Sequence, residues 1–210
     1  MKLYVFPVAP NPTRVRLVLA EKAAGGAEIA LEQVTVDLRA GEQKSAEHLA
    51  RHPLGKLPVL ELDDGSHVAD SLAIIELLEE LHPEPPMLGR DPKARARARE
   101  LERLADLHVL GPLANVVHAT RSPLGWPPNP GVAETFRARL DEGLRVLDTR
   151  LGDGRPFLAG DRPTVADCTL AAALQFARFG ELEIDPSCEH VARWDAAFRQ
   201  RPSAREVLVL

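Results

Sequence analysis

Two hydrophobic periodicities divide the chain. Up to Leu81, short apolar runs bounded by turn residues alternate with stretches in which apolar positions recur every three or four residues; beyond Pro86 only the second pattern persists. Lys2 to Phe6 is a β-branched and aromatic run that predicts a strand, and the Pro7 to Pro12 stretch that follows excludes regular structure. A helix is expected from about Pro12 to Ala24, with Asn11 as its N-cap and Gly25-Gly26 as its stop. Glu28 to Val36 alternates Ile29, Leu31 and Val34 as a second strand, so strand, helix and strand form a βαβ unit with a parallel pair. A weaker helix is expected over Gly41 to Ala50. Pro58 to Leu62 and His67 to Ala69 read as strands joined by an Asp64-Gly65 hairpin turn. The helix from Ser71 to Leu81 buries Leu72, Ile75 and Leu78 on one face.

His82-Pro83-Glu84-Pro85-Pro86 ends that helix and marks the expected division: residues 1–82 as an α/β domain, 83–90 as linker, 91–210 as an all-helical domain. Helices are expected at about Asp91 to His118, Val132 to Leu151, Thr164 to Phe179 and Cys188 to Arg201. Thr164 and Asp167 are spaced as a capping box, a folding device with no chemistry of its own.

Composition narrows the classes. With 45% hydrophobic and 27% charged residues the chain is an ordinary globular one, and a net charge of −5 gives no pull toward nucleic acid or an anionic membrane. The Lys93, Arg95, Arg97 and Arg99 series is no basic stripe, because a period of two sets successive helical residues ~200° apart. No apolar run is long enough to span a bilayer and no signal-like amino terminus precedes the first strand, so a cytoplasmic location is expected. Two cysteines, Cys168 and Cys188, with no paired spacing and only scattered histidines, support neither a disulfide framework nor a metal site. Cys168, among Ala171, Ala172 and Leu174, reads as an inert core thiol.

The candidate chemistry lies between His52 and Leu81. Pro58 has no N–H for a ladder and belongs at a strand entry, where a cis Leu57-Pro58 bond would turn backbone groups toward a ligand. Asp70 or Ser71 caps the next helix, whose free N–H groups and dipole suit a carboxylate or phosphate. A strand margin thus adjoins an anion-receptive helix start. This segment, His52-Pro53-Leu54-Gly55-Lys56-Leu57-Pro58, then Asp64-Gly65, then Asp70-Ser71-Leu72-Ala73-Ile74, resembles the glutathione-binding half of cytosolic glutathione transferases. Gly160 to Asp167 is similar to a second motif of that family, in its helical half.

The resemblance implies a thioredoxin-like domain with a mixed four-stranded sheet, followed by a helical bundle, in a homodimer that uses glutathione as co-substrate and no metal. It implies that Asp70 meets the ammonium and Ser71 the carboxylate of the γ-glutamyl end. Leu57 main-chain atoms, turned by Pro58, would pair with the cysteinyl backbone, and Lys56 and Gln43 would receive the glycine carboxylate. The position that holds a Ser in the theta-like pattern is Ala9 here. Ala9-Pro10-Asn11 is similar to the Thr-Pro-Asn of the bacterial Nu class, which makes Asn11 the expected donor to sulfur, with the Thr13 hydroxyl and the N–H groups of the first helix as further donors. By the same analogy the electrophile would lie between Pro7, Val8 and Ala9 and the region of His108, Pro112 and Asn115, with Trp126 closing over it. The reading is a glutathione transferase acting on small electrophiles, peroxides or disulfides. Its rivals are a glutathione-dependent isomerase, which wants a Ser-rich first loop, and a non-catalytic binding or assembly module, for which Ala9 speaks.

Overall fold

The computed structural model describes residues 1–210. Strands β1 (Lys2–Val5), β2 (Glu32–Thr35), β3 (Val59–Glu61) and β4 (His67–Ala69) form one sheet in the order β2-β1-β3-β4. β2 runs parallel to β1, with Leu3 opposite Gln33; β3 is antiparallel to β1 and to β4, with Leu60 opposite Leu3 and Val68. Alternation gives the sheet two faces. Leu3, Val5 and Leu60 point into the main core with helices α1 (Pro10–Ala24) and α3 (Ser71–Leu81), whereas Tyr4, Val36 and Val59 form a small cluster on the other side. There the ring of His48, on α2 (Ala46–Arg51), meets Tyr4 edge-on at 6.5 Å. This is a thioredoxin-like half with a mixed sheet. An all-helical half follows: α4 (Pro92–Ala105), a π turn (Asp106–Leu110), α5 (Gly111–Arg121), α6 (Pro130–Leu151), α7 (Val165–Phe179), α8 (Glu189–Phe198) and α9 (Pro202–Val207). One contiguous apolar cluster runs through both halves, from Leu3 and Val15 to Leu113 and Ala172.

Several elements differ from the expectation. α1 starts at Pro10, with Ala9 as N-cap, so Asn11 lies inside the first turn. First-turn N–H groups have no intrahelical acceptor, and two prolines, Pro10 and Pro12, are therefore tolerated there. β2 is shorter than Glu28 to Val36 because it is an edge strand, paired only along the four residues of β1. The expected helix over 41–50 is a 3₁₀ turn at Glu42–Lys44 and the separate α2, whose start is capped by Ser45 accepting from the His48 N–H at 3.1 Å. The long helix expected from Asp91 is interrupted by the π turn. Gly143 of α6 permits this, since a Cβ there would stand 2.1 Å from the His108 carbonyl oxygen. α9 was not expected; Pro202 holds Arg201 extended (φ −63°, ψ 141°), ends the preceding segment and starts a new helix at its own N1 position.

The stretch between α3 and α4 is held by a buried ion pair. Lys22 and Glu79 meet at 2.6 Å with 0% and 1% of their side chains exposed. Lys22 donates to the carbonyls of His82 and Pro85, and Glu79 accepts from the N–H groups of Met87 and Leu88. The capping box at Thr164 and Asp167 is present. The buried Asp167 carboxylate also accepts from the N–H groups of Leu158 and Thr164 and from the indole of Trp194. Burial pushes its pKa up to about 6 against these hydrogen bonds. An acid raised in the folded state adds stability that is complete below its unfolded pKa and lost as pH climbs through about 6. In urea unfolding, Asp167→Asn is therefore expected to be destabilised, and the gap to wild type should widen as pH falls from 7 to 5. A gap independent of pH would contradict the assignment.

Candidate active site

The loop after β1, the entry to β3 and the start of α3 converge. Leu57-Pro58 is cis, and the Leu57 N–H and C=O take part in no backbone hydrogen bond, so both remain free for a ligand. Asp70 caps α3 in a strained conformation, φ 77° and ψ 127°, with Oδ1 accepting from Leu72 N–H at 2.9 Å and Ala73 N–H at 3.4 Å. Its second carboxylate oxygen is uncommitted. Ser71 begins α3 with its N–H unused, beside the positive end of the helix dipole.

Ser71 is tied into a buried network that the sequence did not reveal. Its hydroxyl accepts from Arg14 Nε at 2.8 Å and lies 3.5 Å from Asn11 Oδ1. The same guanidinium bonds Glu102 Oε1 at 2.8 Å and approaches Asp106 Oδ1 at 3.3 Å. Glu102 is fully buried. Desolvation raises its pKa and the Arg14 charge opposes that rise. Its Oε2 has no hydrogen-bond partner, only the Arg103 guanidinium at 3.7 Å. α1, α3 and α4 are thus clamped around Asn11 and Ser71.

At the start of α1 the geometry sorts the expected sulfur donors. Thr13 is fully buried and its hydroxyl donates to the Ala9 carbonyl at 2.9 Å, which takes it out of reach of a ligand. Pro10 and Pro12 have no N–H, and the Thr13 N–H bonds the Ala9 carbonyl. Asn11 alone keeps a free N–H and a half-buried amide in that turn. Lys56 is exposed at the mouth of the site, and its carbonyl accepts from His48 Nε2 at 3.0 Å. Gln43 is buried under the loop, with its Oε1 unpartnered and its carbonyl lying against Gly55.

The expected substrate pocket divides. Phe6, Val8, Ala9 and Pro10 face His118, Leu124, Phe176 and Phe179 across a recess of about 420 Å³ including its open mouth. Pro7 is not in its wall; the Pro7 carbonyl accepts from Thr13 and Arg16. His108, Pro112 and Asn115 line a separate groove with Leu107 and Phe136. His118, on α5, lines the recess facing Ala9, whereas His108 lies within the π turn and faces the other groove. His118 Nδ1 pairs with Ser122 Oγ at 3.1 Å, and Trp126 lies over the ring at 4.8 Å. Burial first, and the Lys56 charge second, lower the pKa of His118 and favour its neutral form. A His followed four residues later by Ser at a helix end is too common a pattern to single out from sequence.

Residues 3–86 match the family described as "Glutathione S-transferase, N-terminal domain", and residues 94–200 its C-terminal counterpart. The chain is 34% identical to "Glutathione S-transferase 2" of Saccharomyces cerevisiae, over 99% of this chain and 89% of that one. It is 35% identical to a "Maleylacetoacetate isomerase" of Pseudomonas aeruginosa, over 98% and 97%. A crystal structure of a glutathione S-transferase from Methylobacillus flagellatus KT with GSH bound superposes with a TM-score of 0.83 at 29% identity, covering 100% of this chain and 99% of that one.

Arg14→Met is expected to destabilise the protein by about 3–5 kcal/mol in urea unfolding, because it leaves Glu102 buried and unpaired. The Arg14→Met/Glu102→Leu double variant should recover most of that loss. Additive losses would show that the two side chains are not coupled.

Proposed function

Since the chain belongs to the glutathione S-transferase family and is a glutathione transferase, we propose how its own residues hold glutathione and ionise the thiol. The tripeptide lies extended across the cis bend. Its γ-glutamyl carboxylate takes the Ser71 hydroxyl and N–H at the start of α3, and its ammonium takes the free oxygen of Asp70. The cysteinyl backbone pairs with the Leu57 N–H and C=O as an added strand. Lys56 faces the glycine carboxylate, and Gln43 supports that end from beneath. The observation that carries this reading is the set of unused backbone groups at Leu57 and Ser71, side by side with an uncommitted carboxylate oxygen at Asp70.

Ala9 offers sulfur no hydroxyl. The thiolate then rests on the Asn11 amide and N–H, the donors left free where the α1 dipole favours negative charge. His118, across the recess and biased toward neutral imidazole, is placed to take the thiol proton. A free thiol has a pKa of about 8.5, so lowering it is the chemical task. The thiolate attacks a small electrophile in the recess of Phe6, Phe176 and Phe179, or the oxygen or sulfur of a peroxide or disulfide. An isomerase reading has the identity to the Pseudomonas enzyme in its favour, but Val8-Ala9-Pro10 lacks the hydroxyl-bearing loop that reading wants. The protein acts as a homodimer in this proposal; Leu54 at 76% and Leu107 at 56% exposure are apolar surface that a second copy would cover.

Asn11→Ala is expected to lower kcat/KM about 10–100-fold with little change in glutathione KM, and to raise the thiol pKa read from thiolate absorbance of the complex. His118→Ala should lower kcat and remove the lower limb of the pH profile. Ser71→Ala should act mainly on glutathione KM. An unchanged thiol pKa in Asn11→Ala would overturn the sulfur assignment.

A further inference from the structure

The recess facing Ala9 is apolar on nearly every side. Phe6, Val8, Leu38, Leu124, Phe176 and Phe179 supply its walls, and no Asp or Glu lines it. His118 in its wall is biased toward neutrality. The sole formal charge in the lining is Arg39, in the turn after β2. Its backbone N–H donates to Asp37 Oδ1 at 2.8 Å, and Asp37 spends the same oxygen on the Ala40 N–H. The Arg39 guanidinium itself enters no hydrogen bond or ion pair. Nearby arginines differ: Arg16 is held by Gln33 and the Pro7 carbonyl, and Arg51 by Glu47 and the face of Tyr4.

An apolar pocket with a few polar groups obtains its affinity from the walls and its orientation from those groups. A cation at the rim of a low-dielectric recess projects its field inward, where no carboxylate cancels it. Resting on the transferase reading, we propose that Arg39 makes this site selective for electrophiles with an aromatic or alkyl body and a single anionic group. The body lies among the phenylalanines and the anion pairs with Arg39 at the mouth. A neutral electrophile leaves the guanidinium solvated as before and gains nothing from it. A cationic one is repelled. Lys56 is the cation assigned to glutathione, so the two positive charges divide the two substrates between them.

Two electrophiles with one reacting centre separate these roles: 4-chloro-3-nitrobenzoate and 4-chloro-3-nitrobenzamide. In each, the thiolate forms a carbon–sulfur bond at the chlorine-bearing carbon, the carbon–chlorine bond breaks with its electron pair leaving as chloride, and the thiol proton, taken up by His118, passes on to solvent. Arg39→Gln is expected to lower kcat/KM for the benzoate about tenfold and to leave the benzamide and the glutathione KM within about twofold. Added salt should shrink the benzoate effect. An equal fall for both electrophiles, an unchanged ratio, or a rise confined to the glutathione KM overturns the proposal. The inert pair 3-nitrobenzoate and 3-nitrobenzamide, titrated with glutathione present by quenching of tryptophan fluorescence, reads binding without turnover. If Arg39→Gln weakens the benzoate alone, the selectivity stands even where conjugation fails, and the failure then belongs to thiol activation. If it weakens neither or both, the selectivity falls however fast the enzyme turns over.

Discussion

Helix α1 is buried on most of its circumference and still carries Arg14, Glu21 and Lys22 at 4% exposure or less. An uncompensated charge in such a place costs several kcal/mol, so each must meet a fixed partner. The partners come from three separate parts of the chain. Arg14 is met by Glu102 and Asp106 of the helical half, Lys22 by Glu79 and the carbonyls of the connecting stretch, and Glu21 by Arg201 and Ser203 at the start of α9. No slide of α1 by a turn keeps all three satisfied. Hydrophobic contact supplies most of the cohesion of the two halves, and these pairs supply the register.

That register is what the site uses. The end of α1 opposite Lys22 presents Asn11, and the Arg14 side chain that locks to α4 also grips Ser71 at the start of α3. One guanidinium therefore joins the cohesion of the halves to the position of Ser71. The strained Asp70 backbone persists within this setting, held by its two cap hydrogen bonds.

Much of this was legible in the chain. The Asp64-Gly65 hairpin, the cap at Asp70 and the Thr164 capping box are local chemistry, decided within a few residues, and each appears where the sequence places it. The charged core of α1 was not legible, because Arg, Glu and Lys read as surface until their distant partners are known. The start of α1 was misplaced by two residues because Asn11-Pro12 is on local grounds a better opening than Ala9-Pro10. His118 was not singled out and His108 was, because which histidine of this helical stretch meets the first loop depends on how the elements pack and not on the sequence around either one.

Gly143 gives its contact with the π turn a reach beyond packing. It lies in the middle of α6, with no part in the recess facing Ala9, yet the hydrogen atom it carries in place of a side chain lets another helix widen into a π turn against it. The π turn that leads into the helix bearing His118 thus rests on an absent methyl group more than thirty places along the chain from His108. A side chain at that one position would press on the π turn without altering any residue that lines the recess, so a change remote from the recess reaches the helical stretch that supplies part of its wall.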